Sequence, residues 1–277
     1  MRFFKMHSLG NDFVVIDAVT QKVDLPQELV ASLGNRNTGI GFDQLLTIEP
    51  PKDPQVDFNY GIYNADGSQA QQCGNGTRAV ALLVQALGLS RKPELVWESA
   101  AGQFRTLFTS ADQIETTMTI PVLDEAAIPF STAYAEGDNP YLLSTDVGEF
   151  TVTPVSMGNP HGVIFVDDLL NLDVVQLGST LTAHPAFPEQ ANIGFCQVID
   201  RNFIRLRVFE RGAGETLACG TGACAAVVAA IMADKVADRV KVSLPGGKLR
   251  IRWPGPGEPI TMAAGATLVF EGQLTVP

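Results

Sequence analysis

The chain has 277 residues, 45% of them hydrophobic and 18% charged, which allows one large domain or two of ordinary size and excludes global disorder. Its 30 Asp and Glu against 19 Lys and Arg give a formal net charge of -11, which argues against nucleic acid or an anionic membrane face as partner and leaves a small zwitterionic substrate open. The longest apolar runs, 79–89 and 223–233, fall short of the roughly 20 residues a spanning helix needs, and His7, Asn11 and Asp12 interrupt any apolar signal core, so a cytoplasmic location is expected.

Read in chain order, the sequence is written twice. Ser8-Leu9-Gly10-Asn11 returns as Ser156-Met157-Gly158-Asn159, and Ile40-Gly41-Phe42-Asp43-Gln44 as Ile193-Gly194-Phe195-Cys196-Gln197. Val56, Phe58, Tyr60 and Ile62 alternate with Asp57, Asn59 and Gly61, which predicts a strand; Ile204, Leu206 and Val208 repeat the pattern around Arg205 and Arg207. Each strand leads into a Gly-containing loop, 64–72 and 210–218. Each loop ends at a cysteine followed by Gly-X-Gly: Cys73-Gly74-Asn75-Gly76 and Cys219-Gly220-Thr221-Gly222. The segments 77–87, closed by Gly88, and 221–233 predict helices apolar on nearly every face. A helix without a polar stripe has to be buried. Gly102-Gln103-Phe104-Arg105 resembles Gly247-Lys248-Leu249-Arg250, within a tail (245–257) whose Pro and Gly predict turns between short strands. Four blocks in one order at nearly equal separation point to duplication. The halves are expected to meet near 117–121, and 266–270, which has no counterpart in the first half, to return to it. The predicted division is 1–118 plus 263–277 for the half with Cys73, and 119–262 for the half with Cys219.

The cysteines carry the chemistry. A glycine turn at a helix start offers bare N–H groups and about half a positive charge, which favours an anion there, either a substrate carboxylate or the cysteine's own thiolate. Thiols at such positions can ionise near neutral pH. Two equivalent helix starts across a pseudo-twofold axis predict one sulfur for each face of a carbon. One thiolate removes a proton, the other thiol returns one, and configuration inverts. Cys196 and Cys224 have no cysteine at the equivalent repeat position and read as structural. Three histidines and no short ligand spacing argue against a metal site, and no pyridoxal signature is present.

The stretch from His7 to Phe13, the loop Cys73 to Gly76, Gly158-Asn159-Pro160-His161, and above all Glu210-Arg211-Gly212-Ala213-Gly214-Glu215-Thr216 with Ala218-Cys219-Gly220-Thr221-Gly222 resemble the diaminopimelate epimerases. The resemblance implies an α/β fold of two homologous, pseudo-twofold-related domains, each a mixed, barrel-like sheet wrapped around a central buried helix. It implies cofactor-independent interconversion of LL- and meso-diaminopimelate, on the route to lysine and peptidoglycan, by a homodimer. Cys73 and Cys219 become the acid/base pair, with His161 and Glu210 tuning their pKa values. Asn11, Gln44, Asn64, Asn159, Asn192, Glu210 and Arg211 become substrate contacts, with the backbone at Gly74-Asn75 and Gly220-Thr221. The residues alone leave Arg211 open between a substrate contact and a surface charge, and Asn11 between a contact and a turn residue; the equivalent placement of Asn11 and Asn159 favours function. The chain departs from the family pattern at Ser8, where Gly is expected, at Ala79, often Cys, and at Phe270, which replaces a Tyr that in the family helps dimerisation. A proline or hydroxyproline epimerase is the alternative: a secondary-amine substrate needs no distal Glu210-Arg211 pair.

Overall fold

A computed structural model describes residues 1–70, 73–110 and 113–275. Gln71 and Gln72, at the end of the first predicted loop, lie outside the described residues. The chain divides into two compact units, Met1–Thr117 with Ala263–Pro277, and Met118–Met262.

The first unit opens with the hairpin β1 (Arg2–Ser8) and β2 (Asn11–Asp17), then α1 (Gln27–Gly34), β3 (Gln44–Glu49), β4 (Phe58–Asn64), α2 (Gly74–Ala86), β5 (Glu94–Ser99), β6 (Gly102–Ser110) and β7 (Gln113–Thr117). Neighbouring strands pair antiparallel, except at the two helical crossovers. β2 and β3 are parallel across α1, and β4 and β5 are parallel across α2.

The second unit repeats the scheme. β8 (Tyr141–Thr145), β9 (Gly148–Ser156) and β10 (Pro160–Phe165) are antiparallel neighbours; α3 (Val174–Thr182) leads to β11 (Asn192–Asp200), parallel to β10. β12 (Phe203–Glu210) turns back on β11 and on the short β13 (Gly214–Thr216). Then α4 (Gly220–Met232) crosses to β14 (Arg239–Leu244), parallel to β12 and hairpinned with β15 (Gly247–Arg252). β16 (Thr261–Ala264) spans the boundary in sequence, and β17 (Thr267–Gln273) pairs antiparallel with β1 in the first unit.

The duplicated blocks take the same local structure. Ser8 to Asn11 and Ser156 to Asn159 form the β1–β2 and β9–β10 turns, with Gly10 and Gly158 at φ 82 and 88. Leu9 precedes Gly10 at φ 57, so the first turn has two consecutive left-handed residues, the backbone a two-residue hairpin requires. The second turn is one residue longer, which moves Asn159 off the strand.

The centre of each unit is its apolar helix. Ala79, Val80, Ala81, Leu83 and Val84 of α2 are fully buried, and α4 is buried from Gly222 to Ala230. Helix α2 meets β17, β1, β2 and β3 and also β6 and β7, strands from both ends of its sheet, so the sheet curls around it. α4 meets the four consecutive strands β9, β10, β11 and β12. The sequence-predicted wrap is therefore present, with the sheet left open rather than closed into a barrel. Strand alternation divides the first unit into two layers. Phe13 and Val15 face the α2 side, while Val14 and Ile16 face Val30 and Leu33 of α1. The second unit buries Val174 and Leu181 of α3 against Ile193 and Phe195 of β11.

The layer between α3 and β12 is dense enough to test. A Cβ at Gly178 would lie 2.3 Å from Cβ of Phe209, on the strand that ends in Glu210. Gly178→Ala is expected to destabilise the protein by about 1–3 kcal/mol, the cost of overpacking a filled core, read as a lower urea midpoint at unchanged slope.

Candidate active site

In both units the crossover scheme brings the predicted residues to one end of the sheet. Asn11 starts β2, Gln44 starts β3 and Asn64 ends β4, and Gln44 is the register partner of Asn64. The next element, α2, begins where this end of the sheet leaves off. In the second unit Asn192 starts β11 beside His161 of β10, and Glu210 ends β12. α4 follows at once.

Cys73 is the N-cap of α2. Its Sγ accepts a hydrogen bond from the Gly76 N–H at 3.2 Å and donates to Asn11 Oδ1 at 3.8 Å. Asn75 Nδ2 reaches the same Asn11 oxygen at 3.5 Å. Position 76 cannot carry a side chain: a Cβ at Gly76 would lie 2.3 Å from the Tyr60 hydroxyl and 3.1 Å from Cys73 Sγ. Gln44 Nε2 donates to Asn64 Oδ1 at 3.4 Å, leaving Gln44 Oε1 buried without a partner. Beneath this set lies a residue the sequence did not flag. Arg78 is fully buried on α2 and donates to Ser8 Oγ, to Gly74 O and, at 2.5 Å, to Asn75 Oδ1. This fixes the Asn75 amide with its N–H end toward Asn11. A single charge inside an otherwise apolar helix was the available signal.

Cys219 is the N-cap of α4, 4% exposed, with Thr221 Oγ1 at 3.6 Å. Burial pushes its thiol well above the ordinary range, and the Glu210 charge adds to this. Glu210 is held by Thr216 Oγ1, which donates to Oε1 at 2.5 Å. Asn159 Nδ2 donates to Thr221 Oγ1 at 3.5 Å, and its Oδ1 faces His161 Nε2 at 3.1 Å. His161 therefore reaches the sulfur through Asn159 and Thr221. Arg211 donates from its backbone N–H to Asn192 Oδ1 at 3.0 Å, and from Nη1 to Glu189 O at 2.9 Å. Asn159, Arg211 and Glu189 line a cavity of about 460 Å³ with Ser156, Gly158 and Pro160. The turn carrying Arg211 relies on Gly212 and Gly214, at φ 76 and 80.

The two cysteines read as structural are buried, Cys196 in β11 and Cys224 in α4, and burial pushes the Cys196 thiol up to about 12. Phe270 lies on β17, half exposed, opposite Lys5 and edge-on to Phe3. Among the described residues no helix is long and apolar enough to cross a membrane.

Two α/β units with a cysteine capping each central helix have the fold of the racemases and epimerases of this architecture. A hydroxyproline epimerase from Agrobacterium vitis, solved with trans-4-hydroxy-L-proline, is 16% identical. It superimposes with a TM-score of 0.72 over 98% of this chain and 91% of that one. A phenazine biosynthesis protein of the PhzF family from Bacillus anthracis is also 16% identical, with a TM-score of 0.71 over 100% and 99%. A probable proline racemase from Agrobacterium radiobacter matches at 16% and 0.71, over 100% and 93%. The family model for diaminopimelate epimerase matches residues 3–123 and 153–269, and the chain belongs to that family. It is thus an isomerase of the epimerase and racemase type.

His161 supplies a pH test. Burial, with the Arg211 charge behind it, lowers its pKa from 6.5 to about 3, so the ring is neutral at pH 7 and gives its Nε2 proton to Asn159. A depressed folded pKa means stability that is fully present above 6.5 and lost as pH falls toward 3. His161→Gln is expected to flatten the fall of the melting temperature between pH 6.5 and 4 relative to the native protein, measured by calorimetry. An unchanged slope would mean that the ring does not take up a proton on unfolding.

Proposed function

We propose that this protein interconverts LL- and meso-2,6-diaminopimelate by two-base proton transfer at Cα, without a cofactor, in lysine and peptidoglycan precursor synthesis. The observation that carries the reading is the placement of Cys73 and Cys219 as N-caps of the two equivalent central helices. A thiol there sits against backbone N–H groups that hold an anion. The same groups at Gly74-Asn75 and Gly220-Thr221 suit a substrate α-carboxylate, which takes up the charge developing on deprotonation. One sulfur acts as thiolate base and the other as thiol acid. The balance is one proton removed from Cα and one returned to its opposite face. Burial and Glu210 favour the protonated form of Cys219, which suits it to the acid role in the direction that begins at Cys73.

The substrate's second amino-acid end needs a donor for a carboxylate and an acceptor for an ammonium. Adjacent Glu210-Arg211 with Asn64, Asn159 and Asn192 offers both, and Asn159 and Arg211 border the cavity of the second unit. The partners in this reading are the amino-acid substrate and a second copy of the chain. The exposed Leu268, Val269 and Phe270 of β17 offer an apolar surface for a dimer.

Native protein incubated with LL-diaminopimelate in deuterated water, with no addition, is expected to label Cα and yield the meso isomer. Cys73→Ala and Cys219→Ala should both fail to epimerise. A variant that still epimerises at the native rate would sink the two-thiol mechanism. Arg211→Met is expected to raise KM for diaminopimelate by roughly 10- to 100-fold, the loss of one charged hydrogen bond. Labelling of proline or hydroxyproline instead, indifferent to Arg211, would transfer the assignment to a secondary-amine epimerase.

A further inference from the structure

The asparagines that the duplication makes equivalent are held in opposite senses. Asn159 turns its oxygen to His161 and its amide nitrogen to Thr221, beside Cys219. Asn11 turns its nitrogen away from the cysteine of its own unit. Its Nδ2 donates to Asp43 Oδ2 at 2.8 Å, and its Oδ1 faces Cys73 Sγ and Asn75 Nδ2. Asp43 is itself fixed from three sides. The Asp12 N–H donates to Oδ2 at 3.1 Å, Arg36 Nη2 donates to Oδ1 at 2.7 Å, and the Asp43 N–H donates to Asp12 O at 3.0 Å. Arg36 also donates through both terminal nitrogens to Asp12, which Lys5 holds from the other side. The two cations, outweighing burial, bring the Asp12 carboxyl down to about 2. The second half has Cys196 where Asp43 stands in the first, so no carboxylate occupies that position there.

An amide has one donor end and one acceptor end, and a carboxylate accepts only. We propose that Asp43, oriented by Arg36, is a positioning residue that locks the Asn11 amide with its oxygen toward Cys73, as acceptor for the thiol or for a substrate ammonium. The substrate half of this statement rests on the function proposed above; the bond to the thiol does not. Without the carboxylate, only the longer 3.5 Å bond from Asn75 Nδ2 still favours this orientation, and the amide can turn over. It then offers N–H to the same point, which repels an ammonium and suits a thiolate. Arg36 and Asp43 are 56% and 44% exposed, so their ion pair adds little stability, and its effect lies in orientation.

The test uses native protein, Asp43→Asn, Asn11→Ala and the double variant, with Arg36→Met as a milder way to loosen Asp43. Two readouts are taken: the rate of iodoacetamide modification at Cys73 at one fixed pH, located by peptide mass spectrometry, and kcat and KM for LL-diaminopimelate. Asp43→Asn is expected to speed modification of Cys73 several-fold and to lower kcat/KM about tenfold through KM, on the scale of one net hydrogen bond. Arg36→Met should move both the same way by less. In the Asn11→Ala background the Asp43→Asn change should add less than about twofold to either, because its route to the site has gone. Equal effects in both backgrounds, or a lower melting temperature with Cys73 reactivity unchanged in Asp43→Asn and Arg36→Met alike, would overturn the proposal. Absence of diaminopimelate turnover by the native protein would fail the substrate assignment while the Cys73 cycle still decides the positioning role.

Discussion

The structure depends on the burial of two helices that have no polar side. A helix such as α4, apolar from Gly222 to Ala230, cannot lie on a sheet with its back to water. The sheet has to curl until it covers the helix all round, and α2 accordingly touches strands from both ends of its sheet. A helix threaded through a curled sheet can start only where the preceding strand ends. β4 and β12 therefore deliver their loops, and the cysteines that close them, to the sheet end where the asparagines stand.

Burial also sets the character of the chemistry. Polar groups at a helix start inside a packed unit have few partners and little water, so each orientation is decided by a neighbour. Arg78 turns the Asn75 amide, Asp43 the Asn11 amide, neutral His161 the Asn159 amide, and Thr216 the Glu210 carboxylate. The two units share a scaffold and differ in these partners. In the first, Arg78 holds the Asn75 amide and Arg36 and Lys5 hold Asp12, next to Asn11, whereas the second sets a buried thiol beside Glu210. Duplication supplied two equivalent thiols, and in the proposed mechanism the divergence of their neighbours is what suits one to the base role and the other to the acid role.

Much of this was legible in the sequence, because the signals were periodic or repeated. Alternation at 56–62 and 204–208 marks strands whose apolar residues are buried. The glycines at 74 and 76, and at 220 and 222, mark helix starts whose close contacts leave no room for a Cβ at Gly76. The amide set at 11, 64, 159 and 192 was visible through the repeat and the family motifs. Arg78, Ser8, Asp43 and Arg36 carry no role in the sequence reading, because the lone charge on α2 signals an exception without naming its partners, and the partners of Asp43 lie at positions 11, 12 and 36.

The sequence by itself determined that the chain is duplicated, that each half is built on a buried helix with a cysteine at its start, and which family it joins. The first two follow from repetition and the spacing of apolar residues, which act locally along the chain, and the third from motifs that resemble the family's. The tertiary structure alone decided which end of each amide faces each sulfur, that His161 is buried and neutral, and that its route to Cys219 runs through Asn159 and Thr221. The reason is that a hydrogen bond has a direction and a burial depth, and both are properties of groups brought together from distant positions, so no local stretch of residues encodes them.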